Sequence, residues 1–190
     1  MPGGQSGFAL WLTGLPSSGK TTLAHALHRQ LASRGIAVQV LDSDELRQRL
    51  TPNPTYTPEE RDWFYGMVAY LAELLADNGV NVLIAATASR RTYRQAARER
   101  IPRFAEVYVE CAPAVCRARD PKGLWERAAE GQITGLPGAD APYEPPVAPE
   151  ARVDTARTSV EEAAGQVMAQ LEAQGFLGHD PAGSAWRPTS

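Results

Sequence analysis

The chain has 190 residues, 43% of them apolar and 22% charged, with a formal net charge of -3 at pH 7. That length can bury a core of its own, so one domain is expected, and the mild acidity argues against a general nucleic-acid binder. No apolar run is long enough to span a bilayer, and Met1-Pro2-Gly3-Gly4-Gln5 does not open a secretory leader; Cys111 and Cys116 lack the second Cys/His pair that a zinc site needs. A cytoplasmic enzyme with reduced thiols, free of membrane and nucleic acid, is the expectation.

In chain order, Phe8 to Thr13 is a short apolar run closed by glycine and reads as a buried strand. After a glycine-rich turn, Leu23, Ala24, Leu27 and Leu31 mark a helix over Thr22 to Ser33, ended by Gly35. Strands are expected at Ile36–Leu41, Val80–Ala86 and Phe104–Val109, with a short last one at Val153. Helices are expected at Ser43–Leu50, Pro58–Asn78, Arg90–Arg100 and Pro113–Arg119. A closing helix runs from Ser159 to Gln174, capped by Thr158 or Ser159, with Glu161 and Glu162 in its first turn. Alternating helices and continuously apolar strands predict an α/β fold, a parallel sheet covered by helices on both faces.

Asp120 to Pro149 breaks the rhythm, being rich in Gly and Pro, and reads as an irregular lid over a site. The domain is therefore placed at 1–177 with its lid at about 120–149, and 178–190 reads as a disordered Pro/Gly-rich tail.

Gly14-Leu15-Pro16-Ser17-Ser18-Gly19-Lys20-Thr21 has the spacing of a phosphate-binding loop, between a strand and a helix as that function requires. The glycines let the backbone curl so that successive N–H groups point at phosphate oxygens, and the helix start adds its positive end. Lys20 supplies a mobile cation for the β- and γ-phosphates, Thr21 a hydroxyl ligand for Mg²⁺, and Thr22 can reach the α-phosphate. ATP with Mg²⁺ is the implied co-substrate. Asp42 and Asp44 follow the second strand, at the sheet edge that also carries the phosphate loop. One can take a proton from an attacking hydroxyl while the other orients Mg²⁺ and its water, Asp42 being the expected metal-side residue; both could also be helix caps.

With these motifs in place the chain resembles the adenylyl-sulfate kinase family, which phosphorylates the 3′-hydroxyl of adenosine 5′-phosphosulfate. The resemblance runs from Phe8 to about Phe176. The family's Asp-Gly-Asp-x-x-Arg is matched by Asp42, Asp44 and Arg47, and its aromatic-Ser/Thr-x-x-Asp-Arg by Tyr56, Thr57, Glu60 and Arg61. Its Cys-x-x-Arg-Asp-x-Lys-Gly-Leu is matched from Cys116 through Arg119, Asp120 and Lys122 to Leu124. Gly131, Ile133, Gly138, Asp140, Pro142-Tyr143-Glu144 and Pro146 follow its lid, and Asp154-Thr155 its last conserved pair. The resemblance implies that Arg47 and Arg61 hold the acceptor's phosphosulfate and that Tyr56 stacks on its adenine. It implies Arg119 against the ATP adenine and Lys122 as a lid cation over the phosphates. It also leaves a homodimer open.

The departures cluster on the acceptor side. The family's Glu-Asn-x-Arg-Arg is Trp63-Phe64-Tyr65-Gly66-Met67 here, and its serine after the third strand, sometimes assigned as a phosphoserine intermediate, is Ala88. Its lid phenylalanine at the acceptor base is Leu136. A kinase for another anionic or nucleotide-like metabolite therefore stands as the alternative acceptor reading, and a module that binds ATP without transfer as a third.

Overall fold

The computed structural model describes residues 6–177; the proposed tail at 178–190 lies outside them. A five-stranded sheet, all parallel, has the order β2-β3-β1-β4-β5, with β1 Ala9–Thr13, β2 Val38–Asp42, β3 Asn81–Ala85, β4 Phe104–Glu110 and β5 Ala151–Asp154. The helices are α1 Lys20–Ser33, α2 Ser43–Leu50, α3 Pro58–Asp77, α4 Arg91–Arg100, α5 Pro113–Arg119, α6 Leu124–Ala129 and α7 Val160–Ala173.

Side chains of β1 alternate between two cores, as a strand's period of two demands. Leu10 and Leu12 join Leu27 and Leu31 of α1 and Val167 and Leu171 of α7 on one face. Ala9 and Trp11 join Phe64, Val68 and Ala72 of α3 and Ala97 of α4 on the other. The three inner strands β3, β1 and β4 are accordingly buried almost throughout, whereas the edge strands β2 and β5 are only partly buried. Helices cover both faces of the sheet as expected, and the two edge strands are less buried because each has a strand neighbour on one side only.

Ser159 caps α7 and forms a full capping box with Glu162. Among the described residues no helix is long and apolar enough to cross a membrane.

The segment 120–149 is less irregular than its composition suggests. It holds α6, which starts because the Asp120 carboxylate accepts from the amides of Leu124, Trp125 and Glu126 at 2.9–3.0 Å. Trp125 then packs with Leu136, Cys111 and Cys116 in a small third cluster, against which Leu15 of the phosphate loop also packs. The far end of the segment is tied to the sheet. Tyr143 Oη lies 3.0 Å from Thr13 Oγ1, and the Glu144 amide donates to Ser89 O at 2.8 Å. Arg94, 2% exposed, donates to Glu144 O at 2.7 Å and also to Ala88 O and the Glu106 carboxylate.

Candidate active site

The loop between β1 and α1 has the close-packed form that its glycines permit. A Cβ on Gly14 would lie 2.3 Å from Val109 O, and Gly19 sits at φ 94° where a side chain is disfavoured. No side chain caps α1 at Gly19, so the helix start keeps its amides for a ligand. Carbonyls on the outside of the loop are held away: Trp125 Nε1 donates to Pro16 O at 3.2 Å and Thr155 Oγ1 to Ser18 O at 2.8 Å.

A cleft of about 710 Å³ opens on this loop, lined by Gly19, Lys20, Thr21, Asp44, Arg119 and Lys122, with Pro16, Ser17 and Thr22 also on its wall. Lys20 Nζ donates to Gly14 O at 3.1 Å and to Leu15 O at 2.8 Å. Burial depresses its ammonium from 10.5 to about 8, against the opposing pull of Asp44. Thr21 Oγ1 donates to Asp42 Oδ2 at 2.6 Å. A hydroxyl and a carboxylate oxygen in contact at the loop's end are the donor set of a small hard divalent cation.

Asp42 ends β2 and accepts from the Asp44 amide at 2.8 Å, so it caps α2 and touches Thr21 at the same time. The capping role expected of that carboxylate is therefore met, and its second oxygen is bonded to the Thr21 hydroxyl. Asp44, on the first turn of α2, forms an ion pair with Lys122. Arg119, also on the cleft wall, donates to both the hydroxyl oxygen and the carbonyl oxygen of Thr155.

The expected acceptor residues fall in a second group. Arg47, 9% exposed, pairs with Glu60 at 2.8 Å, and its guanidinium carbon lies 3.9 Å from the Phe64 ring centroid and 4.8 Å from that of Tyr56. Glu60 also accepts from the Thr55 hydroxyl at 2.6 Å, the Thr55 amide and the Tyr56 amide. Burial pushes the Glu60 carboxyl up, but these donors outweigh it and hold the carboxyl below its ordinary value. That clamp keeps Tyr56 at φ 56° with its ring half exposed. Arg61 donates to Tyr56 O at 2.9 Å and to Gly135 O at 2.8 Å, joining this group to the 120–149 segment.

Leu136 stands apart from them. The Asp140 carboxylate holds the amides of Gly135 and Leu136 at 2.6 and 2.7 Å, and the Leu136 side chain is buried with Trp125 and the two cysteines. The expected contact of Leu136 with an acceptor base therefore gives way to a packing role. The residues that sequence reasoning missed are Trp125, Arg94 and Glu106. Trp125 was hidden in a stretch read as irregular, although Asp120 ahead of Leu124-Trp125-Glu126 is a visible helix-start signal.

The sequence profile of the adenylylsulphate kinases matches residues 6–154. The chain belongs to the adenylylsulphate kinase family. An adenylyl-sulfate kinase of Rippkaea orientalis is 40% identical over 173 residues, covering 91% of this chain and 96% of that protein. A probable adenylyl-sulfate kinase of Pyrococcus abyssi is 41% identical over 171 residues, covering 90% and 98%. The solved structure of the Mycobacterium tuberculosis APS kinase CysC in complex with AMPPNP and APS superposes with a TM-score of 0.83 at 35% identity, covering 89% of this chain and 99% of that one. This chain is thus a P-loop kinase, and the alternative of a module without transfer is set aside.

Proposed function

We propose that this adenylylsulphate kinase family member transfers the γ-phosphoryl group of ATP to the 3′-hydroxyl of adenosine 5′-phosphosulfate. The observation that carries the reading is one cleft lined by the phosphate loop, Thr21 and the Asp44–Lys122 pair, with Asp42 bonded to the Thr21 hydroxyl.

The triphosphate lies along the 14–21 loop, its oxygens on backbone amides and the α1 start. Lys20 exchanges its two loop carbonyls for phosphate oxygens, and Thr22 reaches the α-phosphate. Arg119 flanks the ATP adenine. Thr21 and Asp42 are the residues that would hold Mg²⁺, whose oxygen-only preference their donor atoms meet. When bound, that ion neutralises charge on the transferring group.

Asp44 releases Lys122 and accepts the proton of the acceptor hydroxyl as its oxygen bonds to the γ-phosphorus and the bond from that phosphorus to the β-bridging oxygen breaks. The products are ADP and the 3′-phosphorylated acceptor. Lys122, freed from Asp44, turns to the phosphates. Arg47 and Arg61 recognise the phosphosulfate, and the exposed face of Tyr56 stacks on the acceptor adenine. With Ala88 where a phosphoserine would have to form, transfer is direct.

A coupled ADP-release assay with and without adenosine 5′-phosphosulfate tests this. Strong stimulation by that compound is expected. Stimulation only by other nucleotides or sugar phosphates would replace the acceptor, and none by any acceptor would sink the reading.

A further inference from the structure

Phe64 stands where the family pattern has an asparagine, and it is fully buried at the base of the acceptor group. Its ring packs edge-on to Tyr65 at 5.4 Å, and Tyr65 stacks on Tyr93 at 4.7 Å. Tyr93 Oη in turn donates to Asp62 at 2.6 Å. The result is a three-ring column between α3 and α4 with little freedom to turn. The Arg47 guanidinium lies over the end of this column, 3.9 Å from the Phe64 centroid, which is contact distance for a cation on a ring face.

The hydrogen bonds of Arg47 show what that contact leaves over. Among the described residues only Nη1 of its guanidinium donates to a protein group, Glu60 at 2.8 Å. Nε and Nη2 have no protein acceptor. Among the described residues Ser18 Oγ is the only buried side-chain polar atom without a partner, so these two nitrogens reach solvent. Arg47 lies three residues beyond Asp44 on α2, hence on the same helix face. A guanidinium in close contact with the Phe64 ring, with Tyr56 next at 4.8 Å, anchored at one nitrogen by Glu60 and open at the others presents a fork for a bidentate oxyanion.

We infer that Phe64 is a positioning residue for the acceptor: it fixes the plane of the Arg47 guanidinium so that the unpaired donors meet the acceptor's phosphosulfate, doing by cation–π contact what an amide cannot. This rests on the function proposed above. It makes Phe64 a working replacement at that position, compatible with the family's acceptor.

The test combines a double-mutant cycle with a chemical probe. Phe64→Leu keeps an apolar side chain but removes the ring face. It is expected to raise acceptor KM about tenfold, equivalent to about 1.4 kcal/mol, with kcat and ATP KM within about threefold of wild type. In an Arg47→Met background the same change should add less than about threefold to acceptor KM, because the partner is gone. Thermal melting checks that each variant is folded, and Phe64→Tyr, which keeps the ring face, should retain most of the wild-type acceptor KM.

The probe is phenylglyoxal labelling of Arg47, followed by peptide mass spectrometry. Arg47 should label several-fold faster in Phe64→Leu than in wild type. An equal KM effect with or without Arg47, or a joint fall of kcat and ATP affinity, would reduce Phe64 to core packing and overturn the inference. If wild type ignores adenosine 5′-phosphosulfate altogether, the acceptor reading falls by itself. The labelling then decides the Phe64 question: unchanged labelling overturns it, and faster labelling upholds Phe64 as the residue that holds Arg47.

Discussion

Replacing Lys20 with methionine separates what the lysine costs the fold from what it does for the reaction. Its ammonium is held at about 8 because burial strips water from the charge, and Asp44 offsets only part of that loss. Below about pH 8 the lysine carries its proton in both folded and unfolded chains. Between about 8 and 10.5 the unfolded chain still holds a proton that the folded chain has released. Stability therefore rises with pH through that window, and the cost is fully present below it.

At about 1.4 kcal/mol per pH unit, the fall from 10.5 to about 8 corresponds to about 3.4 kcal/mol. The side chain as a whole is only partly covered, so solvent screening cuts this to about half. Urea unfolding at pH 7 and pH 10 should show wild type gaining about 1–2 kcal/mol on Lys20→Met between the two, other titrations cancelling in the difference. ATP binding at pH 9 should also take up protons, read by calorimetry in two buffers of different ionisation enthalpy, since phosphate oxygens restore the ammonium. Turnover of Lys20→Met should fall by orders of magnitude. A pH-independent stability difference, or a variant that turns over normally, would refute the reasoning.

Thr21→Ala should raise the Mg²⁺ concentration needed for half-maximal kcat about 10–100-fold, and an unchanged titration would remove Thr21 from the proposed metal-holding pair. Asp44→Asn should lower kcat by about 10²–10⁴ with the fold intact by circular dichroism, whereas near-normal kcat would leave Asp44 as an ion-pair partner of Lys122 only. Gly138→Ala puts a Cβ 2.5 Å from Leu15 Cδ2 and 3.2 Å from Trp125, at φ 87°. It should lower Tm by about 2–8 °C, and an unaltered Tm would mean that Leu15 and Trp125 yield freely. Arg94→Met leaves Glu106 only its longer 3.9 Å pair with Arg98 and should cost about 3–5 kcal/mol in urea unfolding; a loss under about 1 kcal/mol would contradict the buried network.

The placement of the phosphate loop and of the two aspartates beside it was legible because it is local. A phosphate loop is a continuous string, and Asp42 and Asp44 follow a strand whose carboxyl end the sheet delivers to the same edge. Strand and helix positions were likewise set by apolar periodicity, with ends off by one or two residues. The acceptor side was less legible because its state depends on contacts between distant segments. Nothing around Arg47 in the chain announces that Glu60 and Phe64 will hold it, and nothing around Leu136 announces that Trp125 and two cysteines will bury it. Arg94 and Glu106 are hidden for the same reason: a charge in a helix pattern and a charge in a strand pattern read as solvated until packing brings them together.

The ties at Tyr143 and Glu144 change how the 120–149 segment behaves mechanically. Its amino-terminal part hangs from Asp120 and touches the phosphate loop through Trp125 and Gly138, whereas from Pro142 onward it is bolted to β1, to the turn after β3 and to α4. A hinge is therefore available only on the amino-terminal side. In hydrogen-exchange terms the Glu144 amide should open with the sheet and share its protection, while the amides of Gly135 and Leu136, held by Asp140 within the segment itself, should open independently of the sheet. What reads along the chain as one loop is, under load, a flap and its mounting plate.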